Sequence, residues 1–154
     1  MAVEKQVLGR AEVIDFPKLD IKGVPARIDT GAKTSSLWAS SIKIDKDGRL
    51  SFCFFGKKSP LYTGKRITVQ SYDETVVSTS SGVGQRRYKI KLSILINGRR
   101  IRASFTLANR SRVVYPVLIG RNVLRGRFVV DVTRGKPLKE AEKHRTQELR
   151  KLIK

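Results

Sequence analysis

Asp29, Thr30 and Gly31 close an apolar stretch, Val24-Pro25-Ala26-Arg27-Ile28, and lead into Ala32 and Lys33. By average residue usage such a triplet arises by chance in about three of every hundred chains this long. All three residue types also favour turns, so a polar turn capping a strand is the plain alternative. The chemistry open to the triplet is more specific. A carboxylate held on a tight loop can activate water when a second carboxylate lies about 3 Å away and the pair shares one proton. One member then takes a proton from water while the other gives one to a carbonyl oxygen. Gly31 allows close backbone approach, and the Thr30 hydroxyl can reach across to a facing loop. The chain has a single Asp-Thr-Gly. A two-fold axis would bring a second copy against the first, so the lone motif predicts a homodimer with Asp29, Thr30 and Gly31 as its catalytic set.

Competing chemistries lack their residues. A catalytic zinc usually takes three His, Cys or carboxylate ligands, and the chain has one His, His144, and one Cys, Cys53. No His-Glu-x-x-His and no phosphate-binding Gly-x-x-x-x-Gly-Lys-Ser/Thr occurs. A Ser-His-Asp or Cys-His mechanism would need a His outside the basic tail. No metal and no cofactor is expected.

The elements that must position Asp29 read mainly as short strands. Val24, Ala26 and Ile28 alternate, as do Ile42 and Ile44. Tyr88, Ile90, Leu92, Ile94 and Ile96 share one face of a strand, Asn97-Gly98 supplies a turn tolerant of positive φ, and Ile101, Ala103, Phe105 and Leu107 return at the same period. Val117-Leu118-Ile119 reads as a buried strand closed by Gly120, Arg121 to Leu124 as one helical turn, and Phe128 to Val132 as another strand. Residues Leu138 to Lys154 are rich in helix formers with a loose apolar stripe, Leu138, Ala141, Leu149, Leu152 and Ile153. That tail packs on the body, reaches a partner or frays; the stripe is too irregular to choose. The expected class is mainly β, with one domain over residues 1–134 and a basic helical tail over 135–154.

At 154 residues the chain can bury a core without disulfides or metal. The lone Cys53 fits a reducing compartment. Met1 to Gln6 holds no apolar stretch of leader length, and Val113 to Ile119, broken by Pro116, is too short to span a bilayer. The expectation is a cytoplasmic protein away from membranes. Thirty-three Lys and Arg against thirteen Asp and Glu give a formal charge of +20. That field attracts polyanions without naming one; nucleic acid, the ribosome and an acidic peptide all fit, as does a merely solvated surface.

A second segment, Pro116-Val-Leu-Ile-Gly-Arg-Asn-Val-Leu124, lies about ninety residues beyond Asp29. With it, the chain resembles the retroviral-type aspartic peptidases, in which one Asp-Thr-Gly-Ala is followed by an apolar Ile-Gly-Arg-Asn segment. The resemblance implies a closed acid-protease β-barrel, structural roles for Gly120, Arg121 and Asn122, and a glycine-rich flap between the motifs. Val77 to Arg87, with Ser80, Ser81, Gly82 and Gly84, occupies the flap's place, though an ordinary hairpin loop would read the same. The chain is more closely similar to a bacterial and archaeal retropepsin-like family historically labelled ATP-dependent zinc proteases. Ile28 to Leu37, Ser80-Ser81-Gly82 with Arg87, and Leu107-Ala-Asn-Arg110 through Arg121 carry that similarity, which spans about residues 7 to 134. It implies an aspartic endopeptidase associated with ligases that add glutamates to proteins. The label's zinc and ATP find no residues to support them.

One departure matters. Retroviral enzymes place an acid after the Ala, paired with the Arg of Gly-Arg-Asn; here Lys33 stands in that place and cannot pair with Arg121. A cation beside the loop favours an acidic substrate residue, and Arg87 and Arg110 are further candidates for gripping carboxylates. Ala32, Lys33, Ser80, Ser81, Gly82, Arg87 and Arg110 are therefore the expected substrate-binding and flap residues. The competing reading is a non-catalytic basic barrel that binds RNA, the ribosome or an acidic protein.

Overall fold

In a computed structural model the chain is described at residues 4–78, 81–135 and 138–153. Strands dominate: β1 (Gln6–Leu8), β2 (Ala11–Phe16), β3 (Ile21–Ile28), β4 (Ser35–Ile44), β5 (Leu50–Phe54), β6 (Arg66–Val69), β7 (Asp73–Ser78), β8 (Gly84–Ile96), β9 (Arg99–Ala108), β10 (Val117–Ile119) and β11 (Phe128–Val130). The helices are α1 (Arg121–Leu124) and α2 (Lys139–Arg150). This is the mainly-β class expected from the period-two patterning.

Six strands close a ring in the order β10-β3-β2-β8-β9-β4, with β4 pairing back onto β10. β5 and β6 extend it beyond β4, and β7 pairs β8 outside the ring. β1 and β11 form a separate parallel pair, Gln6 opposite Phe128. The expected hairpin is β8–β9, with Ile94 opposite Ile101 and Leu92 opposite Ala103. Its turn residues Asn97 and Gly98 have φ of 48° and 76°, the positive values that a two-residue hairpin turn requires.

Alternation along these strands places the core inside the ring. Ile14, Phe16, Val24, Leu37, Ile94, Phe105 and Ile119 are all buried. Phe16 meets Phe54 and Phe105 edge-on, at 5.1 and 6.1 Å between ring centres. Each such ring contributes about 1.5–3 kcal/mol through burial, so the ring of strands is a rigid frame for the loops at its ends.

Of the three fates open to the tail, the structure shows packing. Leu138 is buried with Ala11 and Tyr115. Glu142 accepts hydrogen bonds from Arg10 and from the Tyr115 hydroxyl. The Arg145 guanidinium lies 5.7 Å from the ring centre of Trp38. The apolar stripe stops there, since Leu152 and Ile153 lie past the helix and are exposed. No helix among the described residues is long and apolar enough to cross a membrane.

The Glu142 cluster has a pH signature. Burial works to raise its carboxyl, but the hydrogen bonds from Arg10 and Tyr115, with the attraction of Arg10 and Arg27, outweigh it and hold the group below its ordinary 4.5. His144, Arg145 and Glu148 line the same small cavity. A depressed carboxyl contributes stability that is fully present above its unfolded value and is lost as pH falls through the folded one. Docking of α2 is thus expected to be flat with respect to this group from neutral pH to about pH 5 and to weaken below about pH 4. Fluorescence of Trp38, the single tryptophan, reads this directly.

Candidate active site

β10 lies between β3 and β4, parallel to the first and antiparallel to the second. The loop of residues 29–34 that joins β3 to β4 must therefore cross two strand spacings, about 9–10 Å. That crossing presents Asp29 at the end of the ring. The Asp29 amide donates to the Ile119 carbonyl at 2.8 Å, tying the loop's entry to β10. The Gly31 amide donates to Asp29 Oδ1 at 2.9 Å, and the Ala32 amide to the Asp29 carbonyl at 3.3 Å. A Cβ on Gly31 would stand 3.2 Å from the same carboxylate oxygen. The carboxylate is half-buried, while Thr30 and Gly31 are exposed at the loop's outer face.

The Gly120-Arg121-Asn122 segment clasps this loop from behind. The Arg121 amide donates to the Ala32 carbonyl at 2.8 Å and the Asn122 amide to the Lys33 carbonyl at 3.2 Å. Asn122 Oδ1 accepts from both the Ser35 amide and its hydroxyl oxygen, at 3.1 and 2.8 Å. Ser35 Oγ in turn accepts from the Gly120 amide at 3.0 Å, and Asn122 Nδ2 donates to the Ser104 carbonyl at 2.9 Å. Ser35 is fully buried, so these bonds are shielded from water. Arg121, deprived of an acid by Lys33, donates to the Thr30 carbonyl at 3.2 Å. Lys33, Arg121, Arg125 and Arg127 then share a concavity of about 430 Å³ with Asn122.

Gly120 is required by space. A Cβ there would lie 2.8 Å from the Ala32 carbonyl oxygen and from the Thr34 backbone, atoms that cannot swing aside. Gly120→Ala is expected to cost about 1–3 kcal/mol by overpacking, and to displace the Asp29 loop. Thermal unfolding should show a midpoint lowered by several degrees.

A second wall faces the loop. A cleft of about 610 Å³ is lined by Ala32, Lys33 and Thr34 on one side and by Thr75 to Ser78 of β7 on the other. β7 and β8 form the hairpin expected as the flap, Val77 opposite Gln85 and Ser78 opposite Gly84. Gly82, near its tip, has φ of 81°, a conformation favoured by glycine. Val76 and Val83 on this hairpin are 70% and 66% exposed. Ser81 belongs to the same tip, and Ser80 lies outside the described residues.

Arg87, Lys89 and Arg110 also line the cleft. Burial, then repulsion from Arg87 and Arg27, push the Arg110 guanidinium down to about 10, partly offset by the attraction of Asp29. It stays charged at neutral pH. Arg110 Nε donates to the Tyr115 carbonyl at 2.9 Å and Arg87 Nε to Gln85 Oε1 at 2.9 Å. Among the described residues neither arginine is paired with a carboxylate. Two half-buried cations lining one cleft without a carboxylate partner repel one another. Groups of three or more metal-ligating side chains are absent among the described residues.

Sequence reasoning named the loop, the clasp and both arginines. It missed Ser35, Thr75 and Val76, while Val77 and Ser78 fall within the stretch expected as the flap. Two small polar residues directly before the apolar Leu37-Trp38-Ala39 were the available signal for Ser35; no signal marked Thr75 or Val76.

With this geometry in hand, the sequence profile of the RimB-like family, retropepsin-like aspartic endopeptidases, matches residues 7–140. The chain belongs to that family. A protein of Desulfotalea psychrophila named "probable alpha-L-glutamate ligase" is 31% identical over 134 residues, 84% of this chain and 28% of its own length. A Shewanella pealeana protein of the same name is 29% identical over 136 residues, 85% of this chain and 29% of its own. The chain thus spans less than a third of these relatives. A crystal structure of a Legionella pneumophila protein of unknown function superposes with a TM-score of 0.64 at 25% identity, covering 85% of this chain and 96% of that one. As a retropepsin-like family member the chain carries its Asp29 loop, its Gly120 clasp and its hairpin in one arrangement.

Proposed function

We propose that this chain is an aspartic endopeptidase that works as a homodimer on acidic peptide segments. The observation that carries the reading is Asp29: one carboxylate, oriented by the Gly31 amide, on a loop whose Thr30-Gly31 face is exposed. One carboxylate cannot both accept a proton from water and donate one to the scissile carbonyl; two sharing a proton can. Pairing across a two-fold axis at that face brings the second Asp29. Water adds to the carbonyl carbon as one Asp29 takes its proton and the other protonates the carbonyl oxygen. The tetrahedral intermediate then collapses as the leaving nitrogen receives a proton and the C–N bond breaks. The β7–β8 hairpin covers the substrate and excludes water.

The acidic substrate is supported by Arg87, Lys89, Arg110 and Lys33 around the cleft. It is supported also by the relatives, whose name describes attachment of L-glutamate. A peptidase alongside such a ligase would shorten the glutamate segments it builds. The concavity of Lys33, Arg121, Arg125 and Arg127 favours a second reading, a polyanion-binding protein without catalysis. One assay separates them: purified protein with oligoglutamate and neutral peptides at mildly acidic pH, beside RNA binding at several salt concentrations. Cleavage of the acidic peptide supports the peptidase. Salt-sensitive RNA binding without cleavage of either peptide supports the other reading.

A further inference from the structure

The loop of residues 109–116, which carries Arg110, is held from outside by α2. Arg145 Nη2 donates to the Ser111 carbonyl at 2.6 Å, while its guanidinium covers Trp38. The Tyr115 hydroxyl donates to Glu142, which Arg10 also engages. Tyr115 is the residue whose carbonyl receives Arg110 Nε. Two residues of one helix therefore fix two points of the loop, Ser111 within the turn closed by the Val113 amide and the Arg110 carbonyl and Tyr115 just beyond it.

We propose that α2 is a positioning element for the acid-binding cleft, with Glu142 and Arg145 holding Arg110 toward Arg87 and Asp29. This deepens the proposed function and rests on it for the identity of the ligand. The physical need is clear. Burial disfavours the Arg110 charge and Arg87 and Arg27 repel it, so fixing the backbone that carries it helps to keep the guanidinium in the half-buried cleft. The hydrogen bond from Nε uses one of its five N–H groups, and among the described residues the other four meet no protein acceptor. They remain for a substrate carboxylate in bidentate geometry. The helix lies almost wholly beyond residue 140, where the family match ends, and its side chains bond to Arg10, Ser111 and Tyr115 rather than to the Asp29 loop.

The test measures binding rather than turnover, on the 154-residue chain carrying Asp29→Asn so that peptides survive. A triglutamate peptide and its triglutamine counterpart are titrated calorimetrically against that chain, with and without Glu142→Gln or Arg145→Met. Trp38 fluorescence reports whether α2 has moved. The expected result is an affinity for triglutamate lowered about five- to tenfold, within the range of couplings between linked sites, with triglutamine unchanged. Arg145→Lys, which keeps a donor for the Ser111 carbonyl, should recover most of the loss. Tyr115→Phe, which removes the hydroxyl and keeps the carbonyl that Arg110 uses, serves if either helix variant fails to fold. Equal weakening of both peptides, or a displaced helix with triglutamate affinity intact, overturns the proposal. Failure of the peptidase reading looks different: the chain with Asp29 intact would bind triglutamate with this helix dependence yet leave it uncut.

Discussion

Asp29→Asn is expected to lower peptide hydrolysis by at least about a thousandfold while leaving the fold unchanged. Each dimer would lose both of its carboxylates, and an amide can neither accept the proton of water nor hold the shared proton. Losses of that size follow removal of a group on which proton transfer wholly depends. The fold should persist because Asn Oδ1 can still accept the hydrogen bond from the Gly31 amide at 2.9 Å. The remaining anchors of the loop, from Ile119, Arg121 and Asn122, are backbone bonds that the substitution does not touch. Cleavage rates measured beside thermal unfolding check both halves. A variant that is folded and still active would remove Asp29 from the chemistry.

Arg110→Gln should produce the next largest effect, and with an unusual sign pattern. A charge-assisted pair with a substrate carboxylate contributes about 1.5–3 kcal/mol, so KM for an acidic peptide is expected to rise roughly ten- to a hundredfold. A matched peptide with Gln in place of Glu should be little affected. Stability should hold or increase, because the substitution removes a half-buried cation that Arg87 and Arg27 repel, only partly offset by Asp29, and that pairs with no carboxylate among the described residues. Loss of function with gain of stability is the mark of a residue strained for binding. Arg87→Gln should show a smaller effect, since Arg87 lies on the hairpin and shares its Nε with Gln85. Steady-state kinetics on the paired peptides, with melting curves, decide the matter. Equal KM changes for both peptides would make Arg110 a structural residue.

Much of this site was legible because its logic is local. The period of two from Tyr88 to Leu107 fixed a hairpin whose turn geometry follows from Asn97-Gly98. The Asp29 and Gly120 segments each read as strand-then-turn, and their order along the chain supported the acid-protease reading. What escaped depends on distant pairing. That β10 enters between β3 and β4, forcing the loop of residues 29–34 to bridge it, cannot be seen in either segment alone. Ser35 looked like one polar residue among several, yet its hydroxyl joins Asn122 and Gly120 across more than eighty residues. The alternation of Ile42 and Ile44 promised a buried face, but a register shift beside Ser41, whose φ is 51°, releases both to the surface. The tail's apolar stripe left three fates open for another reason: α2 is held largely by Glu142 and Arg145, through an ion pair, hydrogen bonds and a cation–aromatic contact. Such contacts leave no periodicity.

The pairing of two chains is tested most directly by poisoning. Wild-type chain at fixed concentration is mixed with increasing Asp29→Asn chain and assayed on the acidic peptide after equilibration. If each active centre takes one carboxylate from each chain, inactive chain captures active chain in dead mixed pairs. Activity should then fall in proportion to the fraction captured, and the rate per wild-type chain should also fall on dilution. Activity that ignores both the added mutant chain and the dilution would mean that one chain suffices, and the shared-proton account of Asp29 would be wrong.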